Sequence, residues 1–360
     1  MMSALSRGAA AALAALSLCF ASDEAQKFVS LGDFQLSGGG VIQDCRIGYR
    51  TFGELNAAKS NAVLFPTWFT GRSKELEAYV GPEPGKLVDT SKFFVILVDS
   101  LANGVSSSPS NSAAQPRLRF PRVTIADMVH SQRRLITEVF GIRKLYAVVG
   151  ISMGGMQAFQ WVVSHPHMVD RAAPIVGSPQ MSSADLLLWN AELRAIQEHK
   201  DFQDGNYERL PEIQSLSLIH QFALTSPGYR AMRTPRAGFA AWLAAAAEHE
   251  RAKGFDLNDR VRQLEAMMAQ DVGALWNGSL ARAAAEVKAK VLVVVSMRDS
   301  MVNPAAALEF AQLLRTTPVR IDAPCGHLVF ECAAESVTPA ITGFLREGLP
   351  RAGFFENLLK

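Results

Sequence analysis

One stretch, Gly150-Ile151-Ser152-Met153-Gly154, narrows what this chain can fold into more than any other. The apolar run Leu145-Tyr146-Ala147-Val148-Val149 precedes it and reads as a buried strand. Residues 155–163 follow and read as a helix. A serine pinned between a buried strand and a helix sits on a sharp turn with a strained backbone. Side chains two residues to either side would collide there, which accounts for Gly150 and Gly154. Such a turn lifts the serine hydroxyl above the sheet edge. It also aims the Met153 N–H and the helix N-terminus at any negative charge forming beside it. The pentapeptide alone arises by chance, because Gly and Ser are common in loops. The flanking strand and helix turn it into a nucleophile motif.

Strand and helix patterns alternate along most of the chain. Residues 28–50 read as two strands around the turn Gly38-Gly39-Gly40. Residues 61–66 form a short buried strand, followed by Thr67-Trp68-Phe69-Thr70-Gly71. Residues 92–99 are apolar almost throughout, as in a strand covered on both faces. The Ser-, Asn- and Pro-rich residues 100–121 read as a surface loop near the site mouth, or as disorder. Residues 124–140 carry helical apolar spacing that stops at Gly141. After another short strand at 172–177, no strand pattern occurs from about 181 to 273, a region rich in Ala, Leu, Met and Arg. It reads as a helical insertion over the site, with ordinary main-domain helices as the alternative. Strands resume at 289–295 and at 319–321, and a helix closes the chain at 336–345. Such alternation describes a mostly parallel sheet with helices on both faces.

The serine needs a base to remove its proton and a carboxylate to orient that base. Asp299 follows the strand 289–295, and His327 lies in the loop after the strand that begins at Val319. The order Ser, Asp, His, each after a strand, is that of the α/β-hydrolase fold. The expected fold class is therefore α/β, with Ser152, Asp299 and His327 as catalytic residues and an inserted helical cap. The turn after the strand 61–66 supplies the second oxyanion-hole N–H in that fold. Position assigns it to Phe69, with Trp68 as the alternative, beside Met153. Asp322 is a second acid near His327, but it lies on the wrong side to reach the far imidazole nitrogen. His130, His199, His220 and His249 fall in helical stretches, and His165 and His167 at a helix end. All six read as solvated or packed residues.

The expected organisation is a signal peptide at 1–21, core at 22–180, cap at 181–275, and core again at 276–360. Arg7, the uncharged run 9–20 and Cys19-Phe20-Ala21 form the leader pattern, with cleavage after Ala21 and an Ala-rich first helix as the alternative. That implies a periplasmic or secreted protein. Loss of the leader leaves Cys45, Cys325 and Cys332. They read as three buried thiols or as one bridge, and Cys325 and Cys332 are the nearer pair. A net charge of +2 gives no basis for binding nucleic acid. No stretch past the leader is apolar enough to span a membrane. No cofactor and no metal are implied; the expected partner is a small-molecule ester, and a homodimer is compatible with the sequence.

Several segments resemble the homoserine O-acetyltransferase family. They are Tyr49-Arg50-Thr51-Phe52-Gly53-Glu54-Leu55-Asn56, Phe69-Thr70-Gly71, Phe120-Pro121-Arg122-Val123-Thr124-Ile125-Ala126-Asp127-Met128-Val129, Gly205-Asn206-Tyr207 and Gly326-His327. The most specific is Val148-Val149-Gly150-Ile151-Ser152-Met153-Gly154-Gly155-Met156-Gln157-Ala158. The resemblance implies that Ser152 carries an acyl group, that Asp299 and His327 complete the triad, and that the Phe69 and Met153 N–H groups form the oxyanion hole. The family's histidine is typically followed by Asp, which helps hold the amino group of homoserine; here Leu328 follows. An apolar side chain cannot neutralise a buried ammonium. An exported protein also meets little acetyl-CoA. The expected activity is therefore ester hydrolysis through acyl-Ser152. An acyl-CoA-dependent O-acyltransferase is the alternative, and a non-catalytic binding protein on the same fold a further one. In the cap, Trp189, Arg194, Tyr207, Arg230 and Trp242 are the residues to which substrate selection would fall. Arg194 would face a substrate carboxylate or pair on the helix surface.

Overall fold

The computed structural model describes residues 25–347. The expected leader, 1–21, lies outside them. Eleven strands occur among the described residues: β1 (Lys27–Gln35), β2 (Val41–Phe52), β3 (Ala62–Pro66), β4 (Val80–Gly81), β5 (Val88–Asp89), β6 (Phe94–Val98), β7 (Leu145–Ile151), β8 (Val169–Ile175), β9 (Lys290–Val291), β10 (Val294–Ser296) and β11 (Val319–Ile321). Nine build one sheet in the order β1-β2-β6-β3-β7-β8-β10-β11, with β9 also on β8. Only β1–β2 and β2–β6 pair antiparallel; the other pairs in that sheet are parallel. The run 289–295, read as one strand, is split into β9 and β10.

Strand side chains alternate between faces, and both faces are covered. Phe94, Ile96 and Val98 of β6 enter one apolar cluster with Met156, Phe159 and Val162 of the helix Met153–Ser164. Val95 and Leu97 enter the other cluster with Val337, Ile341 and Phe344 of the helix Ala334–Glu347. The helix Ile125–Arg134 starts at Thr124, whose side chain accepts from the Asp127 N–H while Asp127 accepts in return.

Residues 100–108 correct the expectation of a surface loop. Ser100, Asn103, Ser106 and Ser108 are buried. Ser106 and Ser107 accept from the Gly48 and Arg46 N–H groups of β2, both at 2.9 Å, and Ser106 donates to the Asp99 carbonyl. Short hydroxyls here satisfy backbone groups that no neighbouring strand reaches. Composition therefore suggested solvent where the polar atoms are paired internally.

Between Gln180 and Asp271 the chain leaves the sheet and returns. These two residues form an isolated antiparallel bridge, flanked by Val272 N–H to Pro179 O (2.9 Å) and Met181 N–H to Gln270 O (3.2 Å). No described residue between them lies in a named strand. The longer helices are Ser183–Gln197, Gln214–Leu224, Phe239–Lys253 and Leu257–Met268. The last is largely buried and joins this helical layer to the core.

Candidate active site

Strand β7 delivers Ser152 at φ 57°, ψ −120°, a conformation most side chains avoid, directly ahead of the helix Met153–Ser164. A Cβ on Gly150 would lie 2.0 Å from the Gly154 carbonyl oxygen, and one on Gly154 would lie 2.6 Å from that of Pro66. Glycine at both positions is thus required by close backbone approach. The chain after β10 delivers Asp299, and that after β11 delivers His327.

The structure brings the three together. His327 Nε2 is 2.9 Å from Ser152 Oγ, and His327 Nδ1 is 2.7 Å from Asp299 Oδ2. The other Asp299 oxygen, Oδ1, accepts from the Met301 and Val302 N–H groups at 2.8 and 2.9 Å. A carboxylate held at both oxygens keeps Nδ1 protonated and leaves the Nε2 lone pair facing the serine. All three residues are buried. Asp322 is on the surface, paired with Arg298, and takes no part.

The Met153 N–H opens its helix and has no intrahelical acceptor. Neither it nor the Phe69 N–H donates to another described residue. The Phe69 turn is tied down on both sides. The Thr70 N–H donates to Gln263 Oε1 of the cap at 2.8 Å, and Gln157 Nε2 donates to the Thr67 carbonyl at 3.1 Å.

A cavity of about 350 Å³ opens over Ser152 and His327. Trp68, Phe69, Trp189, Met301, Leu328 and Phe330 make its apolar wall, and the cap adds His220, His249, Glu250 and Lys253. Leu328 follows the triad histidine directly and lines the cavity, so the wall beside His327 is apolar there. Of the cap residues singled out in the sequence, Trp189 reaches the cavity. Arg194 is exposed, 3.8 Å from Glu198 on its own helix. Arg230 stacks on Trp242, and Tyr207 donates to Asp256.

Two histidines read as solvated or packed, His220 and His249, line this cavity. His220 falls four residues after Leu216 and three before Ala223, both buried, so helical spacing already put it on the inward face. Nothing in the sequence shows what that face meets. Cys325 and Cys332 are joined in a disulfide that brackets His327, which leaves Cys45, buried, as the free thiol among the described residues. The reading of three free thiols is therefore wrong, because the turn between the two cysteines brings their Cα atoms to 6.5 Å.

A protein-family model described as the alpha/beta hydrolase fold matches residues 63–333. The ethyl acetate hydrolase of Pseudomonas veronii is 34% identical over 76% of this chain and 80% of its own. The homoserine O-acetyltransferase of Acidiphilium cryptum is 29% identical over 92% of this chain and 98% of its own. A solved structure of an acetylester hydrolase from Corynebacterium glutamicum is similar at a TM-score of 0.81 and 30% identity, over 90% of this chain and 95% of that one. The parallel sheet, the strained serine turn and these likenesses together place the chain in the α/β-hydrolase fold family, in the group that holds both ester hydrolases and homoserine O-acetyltransferases.

Proposed function

We propose that this protein is a serine hydrolase that cleaves carboxylic esters of short acyl chains. Ser152 Oγ attacks the ester carbonyl as His327 Nε2 takes its proton, and Asp299 stabilises the imidazolium. The Phe69 and Met153 N–H groups receive the oxyanion. His327 then protonates the departing alcohol, and water activated by the same imidazole releases the acid from acyl-Ser152. The observation that carries this reading is the continuous pair of hydrogen bonds from Ser152 through His327 to Asp299. The likeness to hydrolases of ethyl acetate and acetyl esters supports a small acyl group.

The test is nitrophenol release from p-nitrophenyl acetate and butyrate. Ser152→Ala should reduce kcat by roughly 10³-fold or more. Turnover by the variant at the wild-type rate would place the chemistry elsewhere. The transferase reading draws on the homoserine O-acetyltransferase likeness. It predicts thiol release from acetyl-CoA that depends on homoserine or serine. The hydrolase reading predicts slow release indifferent to either acceptor, as Leu328 suggests.

Export belongs to the same proposal. The pattern at 1–21 supports it, and a mature chain that begins at Ser22 in the periplasmic or secreted fraction is the expected result. An intact N-terminus in the cytoplasm would refute it.

A further inference from the structure

The cavity over Ser152 is lined by a second histidine that leans on a buried carboxylate. Glu192, on the helix Ser183–Gln197, is fully buried. Its Oε1 is 2.9 Å from His220 Nδ1, and its Oε2 accepts from Arg260 Nη2 at 3.1 Å. The Arg260 guanidinium lies 5.2 Å from the centre of the Phe69 ring, and its Nη1 is 3.7 Å from Glu250 Oε2. Burial pushes the Glu192 carboxyl up, but His220 and Arg260 outweigh it and hold the group below the ordinary range. Both the Glu192 Oε1 and the Arg260 Nη2 face His220 Nδ1, at 2.9 and 3.3 Å; the carboxylate oxygen is the nearer and can only accept, so the proton sits on Nδ1 and the guanidinium makes its bond to Glu192.

That leaves His220 Nε2 as the free end of the pair. It has no hydrogen-bond partner among the described residues, and it is open to solvent. The imidazole lines the cavity with Ser152 and His327, and its centre is 6.3 Å from that of the Phe69 ring. The Glu192–Arg260 ion pair already links the helices Ser183–Gln197 and Leu257–Met268 without the imidazole. The imidazole adds an acceptor at the cavity wall, oriented by the carboxylate behind it. Gln221, His249 and the carboxylates Glu75, Glu250 and Glu331 also line this wall, but the carboxylates are engaged by the Arg72 N–H, Lys253 and the Tyr79 hydroxyl, whereas His220 Nε2 stands unengaged beside Phe69.

We propose that His220 Nε2 accepts a hydrogen bond from a free hydroxyl on the alcohol part of the ester, so that the enzyme selects short-chain monoesters of glycols and glycerol over esters of plain alkanols. This rests on the ester-hydrolase reading above and names its substrate class. His220 is a specificity-determining residue here; proton transfer stays with His327.

The experiment measures acetate release by pH-stat from 2-hydroxyethyl acetate and from propyl acetate, which differ by O–H against CH₃. The wild-type ratio of kcat/KM should exceed that of His220→Phe by about tenfold, the size of one hydrogen bond. The variant's ratio carries the intrinsic reactivity difference of the two esters. Ratios within twofold of each other would overturn the proposal. Should the Phe variant not fold, wild-type enzyme is compared on 2-hydroxyethyl and 2-methoxyethyl acetate. The ether keeps the oxygen and lacks the donor, so at least fivefold preference for the hydroxyl is expected, and equal kcat/KM would overturn the role. Hydrolysis of none of these esters would defeat the esterase reading itself. Hydrolysis of all of them without preference defeats the role of His220 alone.

Discussion

At the scale of single residues, Asp299 separates orientation from charge. One oxygen holds the imidazole, and the other is fixed by two backbone N–H groups. Asp299→Asn keeps the size of the side chain but offers His327 Nδ1 an amide that can donate. The imidazole then presents a protonated Nε2 to Ser152, the wrong tautomer for a base. We expect kcat on p-nitrophenyl acetate to fall by roughly 10³–10⁴-fold, the order seen when a triad acid is changed to its amide. KM and the far-ultraviolet circular dichroism should barely move. A loss under tenfold would mean that Asp299 does not set the tautomer. Ser152, Asp299 and His327 were legible in the sequence because the fold fixes their order and puts each after a strand. His220 was not legible as a cavity residue. Its helical spacing shows an inward side, but its partners Glu192 and Arg260 come from helices 28 and 40 residues away.

At the scale of elements, the turn that carries His327 is closed from two directions. Cys325 and Cys332, seven residues apart, bracket it covalently. Against its other side, Ser226 of the cap donates to the Pro324 carbonyl, and a Cβ on Gly326, at φ 65°, would meet the Ser226 nitrogen at 2.9 Å. So short a loop limits what the bridge contributes, roughly 2–3 kcal/mol through the unfolded chain. Its larger effect falls on His327, since loosening this turn lengthens the bond to Ser152. Cys332→Ser should therefore lower the urea midpoint modestly and kcat several-fold. Unchanged kcat would show that packing alone holds the turn. Burial pushes the Cys45 thiol up to about 12, so Cys45 should not react with Ellman's reagent in the native protein. The buried serines of residues 100–108 show where a sequence reading fails at this scale. A hydroxyl paired to a distant backbone and one exposed to water are the same letter.

For the whole molecule, the helix Leu257–Met268 decides how the cap sits on the core. Arg262 donates to the Phe120 and Leu118 carbonyls, Gln263 holds the Thr70 N–H, and Asp259 accepts from the Ser110 N–H and hydroxyl at 2.9 and 2.6 Å. Burial pushes the Asp259 carboxyl up to about 7, more than the Ser110 bonds draw it down. The folded chain therefore holds this proton more tightly than the unfolded chain, whose carboxyl titrates near 3.8. The stability that follows is complete below about pH 4 and is lost as pH rises through about 7. It amounts to a few kcal/mol, because each tenfold gain in proton affinity on folding contributes roughly 1.4 kcal/mol. Asp259→Asn cannot ionise, so denaturant midpoints of the wild type should fall relative to this variant between pH 5 and pH 8. Parallel midpoints across that range would show that Asp259 does not titrate there.

The sequence by itself determined the sheet, the serine turn and the three residues around it, because these follow from local rules. Buried parallel strands read as apolar runs, a strained turn demands glycines, and each triad member follows a strand. It also carried the likeness to both ester hydrolases and homoserine O-acetyltransferases. Only the tertiary structure decided what surrounds the acyl-serine. It placed Leu328 in the cavity wall, sent Asp322 and Arg194 to the surface, closed the Cys325–Cys332 bridge, and turned His220 inward on Glu192 and Arg260. The contacts of His220 with Glu192 and Arg260 join residues 28 and 40 positions apart, and no spacing between residues encodes them. They arise when the cap folds back onto the Ser152 turn and closes a shared cavity.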